Sequence, residues 1–219
     1  MKMRTAEWVV LAIVIISFIL GFMLYDRMPA QMASHWNVRG EVDGFMSRFW
    51  GLFLAPIILA GLFLLFLAIP RTDPLKHNIE TFRIHFGRFM ILLFLFLIYL
   101  YLLTIAWNLG RRFVMIRFLA PGFAILFFFC GVFLERTKRN MFIGIRTPWT
   151  LTSDRVWDRT HRLGGTLFKI AGVLSLGGIA FPSYAIYFVL APVLLAALIA
   201  TVYSYREHVK ESREGASPK

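Results

Sequence analysis

Six apolar runs, each near the length needed to cross a bilayer, decide what this chain can fold into. They are Trp8 to Tyr25, Phe49 to Ile69, Phe89 to Trp107, Phe113 to Leu134, Thr166 to Phe181 and Ser183 to Tyr205. A hydrocarbon core about 30 Å thick takes roughly 20 apolar residues per helix, and in lipid the backbone must satisfy its own hydrogen bonds. The expectation is an all-α membrane protein, a six-transmembrane-helix bundle forming a single integral membrane domain over residues 1–219. Composition agrees, since 58% of the residues are hydrophobic, 23 are Phe and only 16% are charged, too little charge for a soluble domain of this length. The first run exceeds the roughly 7 to 15 residues of a signal-peptide core and no Ala-x-Ala-like site follows it, so it reads as a retained span. Only Pro182 and its neighbours separate the last two runs, which makes those helices antiparallel neighbours.

The formal net charge of +12 raises nucleic acid as a partner, yet in a membrane chain the placement of the charges matters more than their sum. With both termini on one side, 18 Lys and Arg fall on that side and 6 on the other, namely Arg27, Arg39, Arg48, Arg111, Arg112 and Arg117. The excess places both termini in the cytoplasm of a multi-pass protein of the prokaryotic cell (inner) membrane, although the pair Arg111/Arg112 argues locally against it. Its partner is then anionic lipid at the inner face, with no direct contact to nucleic acid. One cysteine, Cys130, lies within an apolar run, which excludes a disulfide framework, a Cys-x-x-Cys redox pair and a thiolate metal cluster.

Polar content concentrates in two loops. In the outer loop, residues 26–48, the segments Met32 to Asn37 and Val42 to Phe45 read as short strands joined through Val38-Arg39-Gly40-Glu41, giving a small extracellular β-hairpin. A side-chain period of 2 puts His35 and Asn37 on one face and Glu41 and Asp43 on another, and folding brings the two sets together. The sharp reading is a divalent metal held by His35, Glu41 and Asp43 with Asn37 beside them. The spacing matches no established ligand pattern, and Asn, Gly and Asp are ordinary turn residues, so a structural lid is the competing reading.

The inner segment 70–88 reads as a cytoplasmic amphipathic helix on the inner leaflet. Asp73 precedes Pro74 in the manner of an N-cap, and Leu75, Ile79, Phe82, Phe86 and Phe89 recur at helical spacing. Opposite them stand Lys76, His77, Glu80, Arg83 and Arg88, a solvated face that accounts for His77 and His85 more simply than a site does. The tail, residues 207–219, reads as disordered.

The second rich loop is inner, residues 135–165, and its segment Asn140 to Gly165 carries two Trp and several residues of restricted geometry. Pro148 holds Thr147 extended, and a helix starts at Thr152, Ser153 or Asp154. On that helix Asp154, Trp157, Asp158 and His161 share one side and Arg155, Arg159 and Arg162 another, while Gly164 and Gly165 allow a second helix to approach. Read functionally, Arg146, Asp158 and His161 line a polar pocket, with Thr147, Trp149 and Trp157 as further binding residues and Asp158/His161 as an acid–base pair. Read structurally, the arginines meet lipid headgroups, Trp149 and Trp157 anchor at the interface, and Asp158 pairs with Arg162. His-Glu-x-x-His, Gly-x-Ser-x-Gly, a glycine-rich phosphate loop and paired intramembrane aspartates are all absent from the sequence. Mid-span charges of the kind a proton-coupled transporter uses are scarce.

Both loops together resemble the SdpI family of bacterial membrane immunity proteins, over nearly the whole chain. The outer part is similar to the small domain of unknown function at that family's N-terminus, with Met28-Pro29, His35-Trp36-Asn37 and Gly40-Glu41-x-Asp43. The inner part resembles its second signature: Asn140, then Gly144-Ile145-Arg146-Thr147-Pro148-Trp149-Thr150-Leu151, then Trp157-x-x-Thr160-His161-x-x-Gly164-Gly165. Trp36 stands where many relatives carry Phe. The resemblance implies a six-helix protein that protects against a secreted peptide toxin and holds a cytoplasmic repressor at the membrane when the toxin is bound. Two alternatives come from other classes: a membrane-embedded, metal-dependent peptide hydrolase using Asp158 and His161 or the outer cluster, and a peptide transporter.

Overall fold

The computed structural model describes residues 4–37 and 40–216. Each apolar run closes into a helix, because only a helix satisfies a single segment's backbone inside hydrocarbon. The chain begins with α1 (Thr5–Leu24), followed by strands β1 (Gln31–Trp36) and β2 (Val42–Ser47). Next come α2 (Arg48–Thr72), the short α3 (Lys76–Thr81), α4 (Arg83–Asn108) and α5 (Met115–Leu134). After a connector lie α6 (Pro148–Thr152), α7 (Asp154–Ser175), α8 (Gly177–Ala180) and α9 (Ala185–Ala216). Six of these are long and apolar enough to cross a membrane, so the hairpin lies at one end of the bundle and both termini lie at the other.

Two groups of helices share α4 and α5 as their seam. In the first, α1, α2 and α4 close around Val10, Val14, Leu59, Phe63, Met90 and Phe94. The second is α7 packed between α5 and α9. Lipid tails are as apolar as Leu, so close backbone approach rather than exclusion of water drives this packing. A Cβ built on Gly172 would lie 2.6 Å from the Phe128 amide nitrogen and 2.7 Å from the Ala124 carbonyl oxygen. One on Gly131 would strike the Gly165 carbonyl oxygen, so α5 and α7 touch main chain to main chain.

Three expectations are corrected. The segment 70–88 is not one helix on a leaflet: α2 runs on to Thr72, α3 is a single short turn, and the backbone breaks at Phe82 (φ −115°) before α4 starts. Its apolar stripe is buried, with Ile79 and Phe82 packed against Ile69, Phe86 and Phe133. Asp73 accepts from the Leu75 amide at 2.6 Å, as a capping residue would, but its other oxygen accepts from the Met141 amide at 2.9 Å and ties this turn to the α5–α7 connector. The tail is helical through Ala216, with 217–219 outside the described residues, because α9 continues past the last apolar residue. The reason is ionic: Arg159 donates to Glu207 at 2.6 Å, Ser153 to Glu211 at 2.9 Å and Arg155 to Glu214 at 2.5 Å. Those arginines therefore meet carboxylates of the same chain.

Candidate functional site

At the hairpin end, β1 and β2 pair antiparallel in the register Gln31↔Ser47, Met32↔Met46 and Ala33↔Phe45, then His35↔Gly44 across an irregularity. Of the expected turn, Val38 and Arg39 lie outside the described residues, and Gly40 takes φ +79°, where glycine is at ease. Gly44 is required opposite His35, since a Cβ there would stand 2.9 Å from the His35 Cβ. The hairpin is fixed to the bundle by α4: Asn108 accepts from the Ala33 amide at 2.8 Å and donates to its carbonyl at 3.0 Å. Buried Met32 and Ala33 complete the seat. Trp36 meets Trp107 edge to face at 5.6 Å, and the Arg112 guanidinium lies 3.6 Å over Trp107.

The hairpin does bring the two expected sets of side chains together, in separate pairs. His35 Nδ1 lies 2.5 Å from an Asp43 oxygen, and the Asn37 amide donates to Glu41 at 2.9 Å. His35, Glu41 and Asp43 do not form a group of three, and no such group of His, Cys, Asp and Glu occurs among the described residues.

Beneath these pairs a cavity of about 470 Å³ opens between the hairpin and the near ends of α5 and α9. His35, Trp36, Asn37 and Asp43 make its polar wall; Met115, Leu119, Phe123, Val189 and Leu190 make the apolar one. The Trp36 Nε1 is buried and has no hydrogen-bond partner among the described residues. A buried indole N–H usually finds an acceptor, so this donor has an unmet need beside the Trp107 contact.

At the terminus end the connector is folded by its own polar side chains. Asn140, fully buried, accepts from the Phe142 and Ile143 amides at 3.0 and 2.7 Å and donates to the Lys138 and Ile143 carbonyls. Thr147 caps α6 by accepting from the Thr150 amide at 3.2 Å, while the Thr150 hydroxyl accepts from the Thr147 amide at 2.9 Å. Its hydroxyl also lies 3.1 Å from that of Ser204 on α9. Ser153 caps α7, accepting from the Val156 amide at 3.2 Å.

His161 and Trp157, expected in a pocket, belong to this framework. Their rings stack at 3.9 Å, and the Trp157 indole donates to the Thr137 carbonyl at 3.1 Å. Trp157 is fully buried, so it is no interface anchor. His161 Nε2 accepts from the Ile145 amide at 2.9 Å, which leaves Nδ1 as the protonated nitrogen, donating to the Trp157 carbonyl at 2.9 Å. Gly144 passes this ring at φ +110°, and a Cβ there would collide with His161 Nε2.

The structure does not gather Arg146, Asp158 and His161 around one pocket. Arg146 is exposed and donates to the Met141 carbonyl at 2.6 Å. Asp158 pairs with Lys138 at 3.1 Å, and not with Arg162. No hydrogen bond joins Asp158 to His161, and both imidazole nitrogens are already engaged. Trp149 packs on Tyr205 at 5.0 Å. Sequence reasoning missed the Asn108 clamp and the Asp73 tie, both contacts between side chain and distant main chain. The ladder from α9 to α7 had a signal in Glu207, Glu211 and Glu214, spaced i, i+4 and i+7.

Six spanning helices, a strapped hairpin over one end and a folded connector at the other define a polytopic membrane protein. The sequence model of the SdpI/YfhL protein family matches residues 136–204, and that of a domain of unknown function (DUF1648) matches residues 12–60. Over 199 residues the chain is 25% identical to the immunity protein SdpI of Bacillus subtilis (strain 168), covering 90% of this chain and 93% of that relative. The chain is similar to the SdpI family, through the family match in its C-terminal half and a relative aligned over nearly its whole length. No solved structure matches it. The cavity is walled from both matched regions, the hairpin from one and α9 from the other.

Proposed function

We propose that this protein confers immunity by taking a secreted peptide toxin into the cavity between the hairpin, α5 and α9. The observation that carries the reading is that cavity's division into a polar wall of His35, Asn37 and Asp43 and an apolar wall of Met115, Leu119 and Leu190. An amphipathic peptide at the membrane surface presents the complementary pair of faces. The charge asymmetry favours a cytoplasmic terminus side. There the exposed Arg146, which holds the Met141 carbonyl, stands next to exposed Met141 and near Phe142, a surface suited to a regulatory protein.

Expression in a host sensitive to a membrane-active peptide toxin tests the reading by survival. The wild-type chain is expected to protect, and Leu119→Trp, which fills the apolar wall, to abolish protection at equal membrane expression. Equal killing with and without the wild-type chain, or full protection by Leu119→Trp, would refute it. Reporter fusions at the C-terminus, one active only in the cytoplasm and one only outside it, fix the orientation.

A further inference from the structure

At the terminus end several cations have carboxylate partners: Arg4 with Glu80, Arg83 with Glu7, Lys138 with Asp158, Arg139 with Asp154, Arg155 with Glu214, Arg159 with Glu207 and Lys169 with Glu135. Arg88 on α4 and Arg136 just past α5 differ. Among the described residues neither guanidinium has a hydrogen bond or ion pair, and both line the same cleft between α4 and α5 together with His85. The cleft holds about 450 Å³ and is apolar below its cationic rim, with Leu92 and Leu95 on one side and Phe129 and Val132 on the other. Phe89 and Phe133 stack at 4.4 Å and line the same cleft. Leu95 and Phe129 are half exposed, so the cleft opens sideways to the bilayer.

Its length matches one leaflet. His85 and Leu95 are ten residues apart on one helix face, about 15 Å at 1.5 Å per residue, and one leaflet contributes about half of a 30 Å hydrocarbon core. We infer that the α4–α5 cleft is a binding site for one anionic phospholipid, whose phosphate sits between Arg88, Arg136 and His85 and whose acyl chain fills the slot down to Leu95. The guanidiniums provide forked donors for phosphate oxygens, and the aliphatic and aromatic walls accept the chain. Bulk attraction of a basic surface to anionic lipid would use any of the exposed arginines at this end. This site specifies two of them, together with a slot.

Native mass spectrometry of the full-length protein, released from micelles doped with phosphatidylglycerol or phosphatidylcholine, tests this. The wild-type chain is expected to retain one phosphatidylglycerol with about 25-fold preference, from roughly fivefold per arginine. Arg88→Gln and Arg136→Gln should each lose about fivefold, and the double variant should bind both lipids alike. Arg162→Gln, at the same end but outside the cleft, should behave as wild type. Leu92→Trp should release the lipid with both arginines intact, and inorganic phosphate should not compete. Equal retention of the two lipids by the wild-type chain, an unchanged preference in either single arginine variant, or full retention by Leu92→Trp would overturn the site. The single variants remove no buried partner, so the test stands even where the double variant does not fold.

Discussion

The Ile145 amide donates a 2.9 Å hydrogen bond to Nε2 of His161, and that contact fixes the imidazole as the neutral tautomer protonated on Nδ1. His161 is only 2% exposed, and its ring carries the connector on one nitrogen and α7's own carbonyl on the other. His161→Ala should therefore destabilise the protein by about 2–4 kcal/mol, through a stranded amide and a cavity beside Trp157. Asp158→Ala removes only a half-exposed pair with Lys138 and should cost under about 1 kcal/mol. Thermal unfolding in micelles followed by tryptophan fluorescence separates the two. Equal, small effects would return His161 to the list of functional groups free of structural duty.

Glu7 on α1 and Arg83 on α4 form an ion pair at 2.7 Å with both side chains 5% exposed. The Arg4 amide donates to the second Glu7 oxygen at 3.0 Å, whereas the Arg83 Nη1 has no partner among the described residues. A buried charge that loses its partner is left uncompensated, so Glu7→Gln is expected to cost about 3–5 kcal/mol. Replacing both, as Glu7→Gln with Arg83→Met, removes the stranded charge and should cost much less than the two single substitutions added together. A double-mutant cycle on unfolding in micelles reads the coupling, and additivity within error would show that the pair contributes no mutual stabilisation.

The contact of α5 with α7 predicts a sharp contrast between two glycines. At Gly172 a methyl group meets the Phe128 amide nitrogen and the Ala124 carbonyl, which are backbone and cannot step aside. At Gly61 a Cβ meets nothing within 4 Å. Gly172→Ala must spread the helices and should destabilise by about 1–3 kcal/mol. Gly61→Ala should be neutral or slightly stabilising, because alanine has the better helix propensity. The two variants compared in one thermal scan decide it, and similar melting points would mean that the helices are not in contact at this crossing.

What was legible in the sequence follows from how many solutions each segment has. A 20-residue apolar run has one solution in lipid, so the six spans were readable from residues alone. The hairpin was readable because two strand-like segments flank a turn at Gly40, but its register, with His35 opposite Gly44, rests on an irregularity that a period of 2 does not carry. The stripe Leu75, Ile79, Phe82 and Phe86 had two solutions, a leaflet or the protein's own interior, and periodicity cannot separate them. The short helix α6 was hidden because Pro148 explains an extended Thr147 equally well, while its Thr147–Thr150 capping box shows only in the folded geometry. His161 next to a carboxylate one turn back looked like chemistry. Its partners are main-chain atoms of Ile145 and Trp157, which carry no signature in sequence.

The helical tail supplies the last prediction. Arg155 and Arg159 on α7 face Glu214 and Glu207 on α9, and Ser153 bonds Glu211 between them, so the two helices run antiparallel with three contacts in a row. Each contact is partly exposed and weak alone, yet the helix beyond Tyr205 has lost the apolar surroundings of the span and depends on all three. Arg155→Ala with Arg159→Ala should let the segment after Tyr205 unwind while the spans stay intact. Limited trypsin digestion of protein in micelles reads this at Arg206 and Lys210: slow cleavage in the wild-type chain, several-fold faster cleavage in the double variant. Exchanging the charges in the otherwise wild-type chain, as Arg159→Glu with Glu207→Arg, should keep most of the protection. Cleavage at the wild-type rate in the double variant would show that the tail helix holds without the ladder.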